Sequence, residues 1–86
     1  MPCVSRFYGI AIYLYYKDHA PPHFHAIYGG EEVMIEIATG NVLAGKIPKR
    51  AAKLVQEWLS QHQAELEVDW HLAISGLPLN PVPPLE

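Results

Sequence analysis

Gly29-Gly30 lies between two runs of strand character, His23 to Tyr28 and Glu32 to Ala38. Two glycines as the central pair of a two-residue loop give the positive φ angles that a tight hairpin demands. Such a loop fixes the pairing on either side of it. Counting back from the turn, Tyr28 faces Glu31, Ile27 faces Glu32, Ala26 faces Val33, His25 faces Met34, Phe24 faces Ile35 and His23 faces Glu36. Side chains alternate along a strand, and a slip of one residue would turn every one of them over. One face therefore carries Phe24, Ala26, Val33, Ile35 and Ile37 and is the core face. The other carries His23, His25, Ile27, Glu32, Met34 and Glu36.

The remaining elements follow from the same rules. Ile10, Ile12, Leu14 and Tyr16 alternate with Ala11, Tyr13 and Tyr15, a β-branched and aromatic run that reads as a strand covered on at least one side. Ser5 to Tyr8 reads as an edge strand or an arm. Asp18 to Pro22 form a turn stiffened by two prolines. Thr39-Gly40-Asn41 is a further turn, and Val42 to Gly45 a short fourth strand. Pro48 opens a helix whose stripe is Ala51, Leu54, Val55, Trp58 and Leu59. A second helical run from about Gln63 places Leu66, Trp70, Ala73 and Ile74 on one side and stops at Gly76. The expected fold is α+β: a small antiparallel three- to four-stranded meander followed by two helices packed on one face. Residues 1–76 form a single domain. Residues 77–86, with four prolines in ten positions, form an extended Pro-rich tail.

Composition narrows the function. The chain has 86 residues, half of them hydrophobic, and one cysteine, Cys3. An intramolecular disulfide is excluded, and no signal-peptide pattern is present, which points to a cytoplasmic protein. The longest apolar run, Gly9 to Tyr16, is far below the roughly 20 residues that span a membrane. Net charge is −3, against wholesale nucleic-acid binding, yet four of the six Lys and Arg residues are Lys46, Lys49, Arg50 and Lys53. They occupy one helix face at its N-terminal end, where the helix dipole favours negative charge. An anion, such as a phosphate group or RNA, or the acidic surface of a protein partner would relieve that conflict.

Three of the five histidines fall between His19 and His25. His23 and His25 are two apart on a strand and share a face, so their imidazoles can converge on one divalent ion such as zinc or iron(II). Glu36, across the ladder from His23, is the candidate third ligand, with His19 or Asp18 folding over from the loop. Without a metal, His19, His23 and His25 are candidates for general acid–base catalysis, as in a small ribonuclease, because imidazole titrates near neutrality.

With these residues assembled, the chain resembles the bacterial family known as domain of unknown function 4160. The resemblance runs through Ser5-Arg6-Phe7-Tyr8-Gly9, Tyr15-Tyr16, Asp18-His19, Pro21-Pro22-His23-Phe24-His25, Tyr28-Gly29, Gly45 with Pro48, Val55 with Trp58, Glu65-Leu66 and Trp70. The Pro-Pro-His-Phe-His run is its specific part. The resemblance implies a short cytoplasmic protein with no established activity, often encoded beside a domain of unknown function 2442 protein in a toxin–antitoxin-like arrangement. The expectation is a partner-binding protein with a His-rich loop as its ligand or active surface. The alternative is a histidine-based ribonuclease or metal-dependent enzyme using His23, His25 and Glu36.

Overall fold

A computed structural model describes residues 2–86. Five strands, β1 (Cys3–Phe7), β2 (Ile10–Tyr13), β3 (His23–Tyr28), β4 (Glu31–Glu36) and β5 (Val42–Gly45), form one antiparallel sheet in sequential order, followed by a single helix α1 (Lys49–Ile74). The β3–β4 register is the one that the Gly29-Gly30 turn dictates, from Tyr28 opposite Glu31 to His23 opposite Glu36. Both turn glycines have positive φ, 57° and 84°. The class is α+β, as expected, but the element count differs at both ends of the chain.

The N-terminal segment is a true strand: β1 pairs with β2 through a two-residue turn at Tyr8-Gly9. Its short burial pattern, with Val4, Ser5 and Phe7 inside, is too brief to announce a strand by periodicity. The two expected helices are one. Residues 60–62 contain neither proline nor glycine, and the two runs join in one element that kinks at His62, whose φ and ψ of −127° and 20° are not helical. It ends as Gly76 foretells. Gly76 adopts φ 73°, its N–H donates to Ala73 and the N–H of Leu77 donates to Leu72, which satisfies the last carbonyls by a Schellman arrangement.

The core forms on the face that carries Phe24, Ala26, Val33 and Ile35, joined by Ile10, Ile12 and Leu14 and covered by Ala51, Val55, Trp58 and Leu66 from α1. Trp58 packs against Phe7 at 5.3 Å and edge-on against Phe24 at 5.8 Å. Gln63 donates to the carbonyls of Ile37 and Ala38, and Gln56 donates to that of Gly40. The helix thereby fixes the end of β4 and the turn after it, beside the start of β3.

The proline-rich tail folds back on the domain. Val82 and Leu85 are buried, the N–H of Val82 donates to Val4 on β1, and the Trp58 indole donates to Pro83 at 2.9 Å. The N–H of Asn80 donates to Oδ1 of buried Asp69, whose Oδ2 has no partner among the described residues. Burial pushes the Asp69 carboxyl above the usual range despite the Asn80 N–H, and the nearby Glu65 charge adds to the rise. A raised folded-state pKa gives stability that is present below the ordinary aspartate value and lost as pH rises through the raised one. Asp69→Asn keeps the acceptor for Asn80 and removes the titration. Wild type should therefore lose stability relative to this variant as urea-unfolding curves are taken from acid toward neutral pH. A gap that stays constant with pH would show that burial does not perturb Asp69.

Candidate metal centre

His23 and His25 stand on the sheet face opposite Phe24, and both are almost fully buried, at 3% and 6% exposed. Burial comes from aromatic neighbours. Trp70 reaches His23 from the C-terminal half of α1 at 5.2 Å, and Tyr15 covers His25 edge-on at 4.4 Å. Tyr13 stacks on Tyr15 and accepts from Arg6 Nη2 at 3.2 Å. The loop between β2 and β3 closes the remaining side. Lys17, in the left-handed region at φ 56°, donates its N–H to Ala73 at the end of α1, and Pro22 accepts from the N–H of Ile37. Between these two ties the chain turns Asp18 onto the histidines.

Asp18 Oδ2 lies 2.9 Å from His23 Nε2 and 3.3 Å from His25 Nε2. The other nitrogen of each ring is also engaged: His23 Nδ1 lies 2.7 Å from the Pro21 carbonyl, and His25 Nδ1 lies 2.7 Å from Glu32 Oε2. All of these oxygens are acceptors unless a carboxyl is protonated. A neutral imidazole carries one N–H. Two neutral rings donate through Nδ1 to Pro21 and Glu32, and both Nε2 lone pairs then point at Asp18. That convergence needs a positive charge, either extra protons or a cation. Asp18 is itself held in its charged form. Desolvation would raise its pKa, but the His19 N–H and the two imidazoles outweigh it, and the net shift is downward. The Tyr15 hydroxyl is shifted up by burial and by the charges of Glu32, Tyr13 and Asp18, so it keeps its proton.

The ligand atoms of Asp18, His23 and His25 all lie within 4.8 Å of one another. Two ligands each about 2.0–2.1 Å from zinc stand roughly 3.4 Å apart across a tetrahedral angle. The Asp18–His separations are close to that value, so a slight expansion admits an ion. The Nδ1 contacts to a carbonyl and a carboxylate are the outer partners that metal-bound histidines ordinarily have.

Not every residue singled out from sequence joins this group. Glu36 stands opposite His23 in the ladder, but its carboxylate accepts from Thr39 Oγ1 at 2.7 Å. The His19 side chain is exposed; its contribution is the backbone N–H to Asp18 Oδ1 at 2.8 Å. Lys46, Lys49, Arg50 and Lys53 are all exposed near the start of α1, toward the opposite, hairpin end of the sheet. Glu32 was missed as a partner for His25, although the register signals it. Met34 is the direct partner of His25, and Glu32 is the same-face diagonal neighbour, within reach of long side chains.

The family model described as Domain of unknown function (DUF4160) matches residues 9–71, which takes in the loop, both histidines, Glu32 and Trp70. The chain belongs to the DUF4160 family. No curated protein and no solved structure matches it. In this DUF4160 chain the matched span includes every side chain of the cluster. Among the described residues no helix is long and apolar enough to cross a membrane.

Proposed function

We propose that this chain is a small metal-dependent protein whose centre is formed by Asp18, His23 and His25, with the remaining coordination positions open to water or a ligand. The supporting observation is the proton inventory: both Nε2 atoms converge on one carboxylate oxygen while both Nδ1 atoms face acceptors. Two imidazoles and one carboxylate suit zinc or iron(II). The chemistry such an ion supplies is activation of bound water, and metal-assisted hydrolysis, with RNA among the candidate substrates, is the reaction class. His25 and His23 are held by Glu32 and Pro21, Asp18 is positioned by the His19 N–H, and the Tyr15 ring covers His25.

Purified protein freed of metal and titrated with zinc should bind one equivalent and melt at a higher temperature when loaded, since an ion that binds only the folded state stabilises it. The double variant His23→Ala/His25→Ala, confirmed folded by circular dichroism, should bind none. A wild type that takes up no zinc, cobalt(II) or iron(II) would sink the metal reading. The charge between the rings would then have to be protons, as an acid–base ribonuclease would use.

A second reading is favoured by a separate observation. Edge strand β5 is exposed along its whole length, with Val42 59% exposed and Leu43 also outside, while the other edge, β1, is tied to the tail through Val82. An open apolar edge is a template for a partner's strand. It supports a partner-binding role; the reading that this role belongs to a cytoplasmic toxin–antitoxin-like pair, with a domain of unknown function 2442 protein as the candidate partner, rests on the family resemblance. Titration of that protein against wild type and Val42→Lys tests it. Equal affinity for the two would place the contact elsewhere.

A further inference from the structure

The hairpin end of the sheet carries a second constellation, at the other end of the strands from Asp18, His23 and His25. The β1–β2 turn is Tyr8-Gly9, with φ of 49° and 79°. That geometry favours Asn-Gly and penalises a bulky side chain at its first position. Tyr8 occupies it nevertheless, 61% exposed and outside the core. Its ring adds nothing to the buried core and sits on a strained backbone, a combination that marks functional sites. Tyr28, at the tip of the neighbouring hairpin, lies against Gly9, where an added Cβ would stand 3.4 Å from the ring. Between the two tyrosines and the first turn of α1 opens a cavity of about 240 Å³, completed by Arg50, Ala51 and Leu54.

The cations gather at the same end. Gly45, paired with Val33, leads directly into Lys46, and Lys49, Arg50 and Lys53 follow on α1. All four are exposed, and among the described residues none makes an ion pair with a carboxylate. The first turn of α1 contains no acidic residue, and Pro48 caps it without a side-chain bond. Glu31 and Glu32, which open β4 beside the Gly29-Gly30 turn, are the neighbouring acidic residues; both are exposed, and the Glu32 carboxylate is engaged by His25. On a chain of net charge −3, this end gathers four of the six cations.

We propose that this end of the molecule binds a nucleotide, free or within a single strand, with its base in the Tyr8–Tyr28 cavity and its phosphate on Arg50 and the neighbouring lysines. Flat aromatic rings stack on any base without reading its sequence. A guanidinium meets phosphate oxygens in a fork that matches their geometry. The cavity is smaller than the roughly 300–1,000 Å³ that encloses a whole drug-sized ligand. It takes a ring and leaves the charged part outside, where the cations are. An acidic peptide would use the lysines, but it would leave Tyr8 without a role.

The test is a titration of isotope-labelled full-length protein, followed by NMR, with AMP, a hexameric oligoadenylate, inorganic phosphate and a polyglutamate peptide. AMP should shift Tyr8, Tyr28 and Arg50 and bind more tightly than phosphate. Tyr8→Asn, which relieves the left-handed strain, should raise the melting temperature and weaken AMP binding about tenfold, the scale of one lost base–aromatic stack. Tyr16→Ala, an exposed ring away from the cavity, serves as the control and should leave AMP binding unchanged. A hexamer that binds more tightly than AMP and weakens with salt identifies a strand as the source, and equal affinities identify a free nucleotide. The proposal is overturned if neither nucleotide binds, if phosphate or polyglutamate matches AMP, or if Tyr8→Asn binds AMP as wild type does.

Discussion

Replacing Gly45 by alanine is expected to cost about 3 kcal/mol or more of folding stability, the sum of forced overpacking and a side chain placed at positive φ. Gly45 has φ 74°, and a Cβ built on it would lie 2.2 Å from the carbonyl oxygen of Glu32, 3.2 Å from its carbon and 3.3 Å from the Val33 Cα. These are backbone atoms of a paired strand and cannot swing aside as the tip of a side chain would. For a domain of this size each kcal/mol moves the melting temperature by roughly 4–8 °C, so the variant should melt some 12 °C lower or more. Gly30→Ala is the matched comparison. Its φ is also positive, at 84°, but nothing lies within 4 Å of the added atom, so only the conformational cost remains. Thermal melts followed by circular dichroism decide between them. Equal losses in the two variants would mean that close approach is not what Gly45 provides. The approach also bears on the site, because the N–H of Lys46 bonds the same Glu32 carbonyl and the Glu32 side chain accepts from His25.

The register of β3 and β4 was legible because it rests on a local rule: a two-residue glycine turn leaves one pairing, and alternation does the rest. The pairing in turn put His23 and His25 on one face and Phe24 in the core. Two features escaped for physical reasons. The bend at His62 lies where the two expected helical runs meet, but no residue type there reports whether they join, so their continuity across it was not legible. The position of Asp18 is a tertiary result. It depends on Lys17 reaching Ala73, which is 56 residues further along the chain, and no local pattern reports a contact between a loop and the far end of a helix. Glu36 was the natural choice from the ladder alone, since direct cross-strand partners come closest at the backbone. Side-chain chemistry redirected it: Thr39, in the turn just after β4, offers a hydroxyl that takes the carboxylate. The docking of the tail follows from composition only in part. Its apolar residues called for cover, but the buried Asp69 that holds Asn80 lies in a helix whose stripe pattern says nothing of a tail.

The choice of carboxylate is open to direct measurement, and the expected effects are large. Asp18→Ala should abolish zinc binding or weaken it more than any other single acidic substitution, because Asp18 Oδ2 stands at the point where both Nε2 atoms converge. Glu32→Gln should weaken it about 10–100-fold, the range found when an outer partner of a metal-bound histidine is lost. The amide retains a carbonyl acceptor for His25 Nδ1–H but surrenders the charge that makes the ring a stronger ligand. Glu36→Gln should leave zinc affinity unchanged, since Thr39 rather than an imidazole holds that carboxylate. Competition against a chromogenic chelator, with each variant checked for its fold, ranks the three. The reverse order, with Glu36→Gln losing the ion and Asp18→Ala retaining it, would move the centre to the ladder pair His23 and Glu36 and require the Thr39 bond to open on loading. With the predicted order, the ion sits under the loop, and the ties of Lys17 to Ala73 and of Pro22 to Ile37 become what keeps Asp18 over the imidazoles.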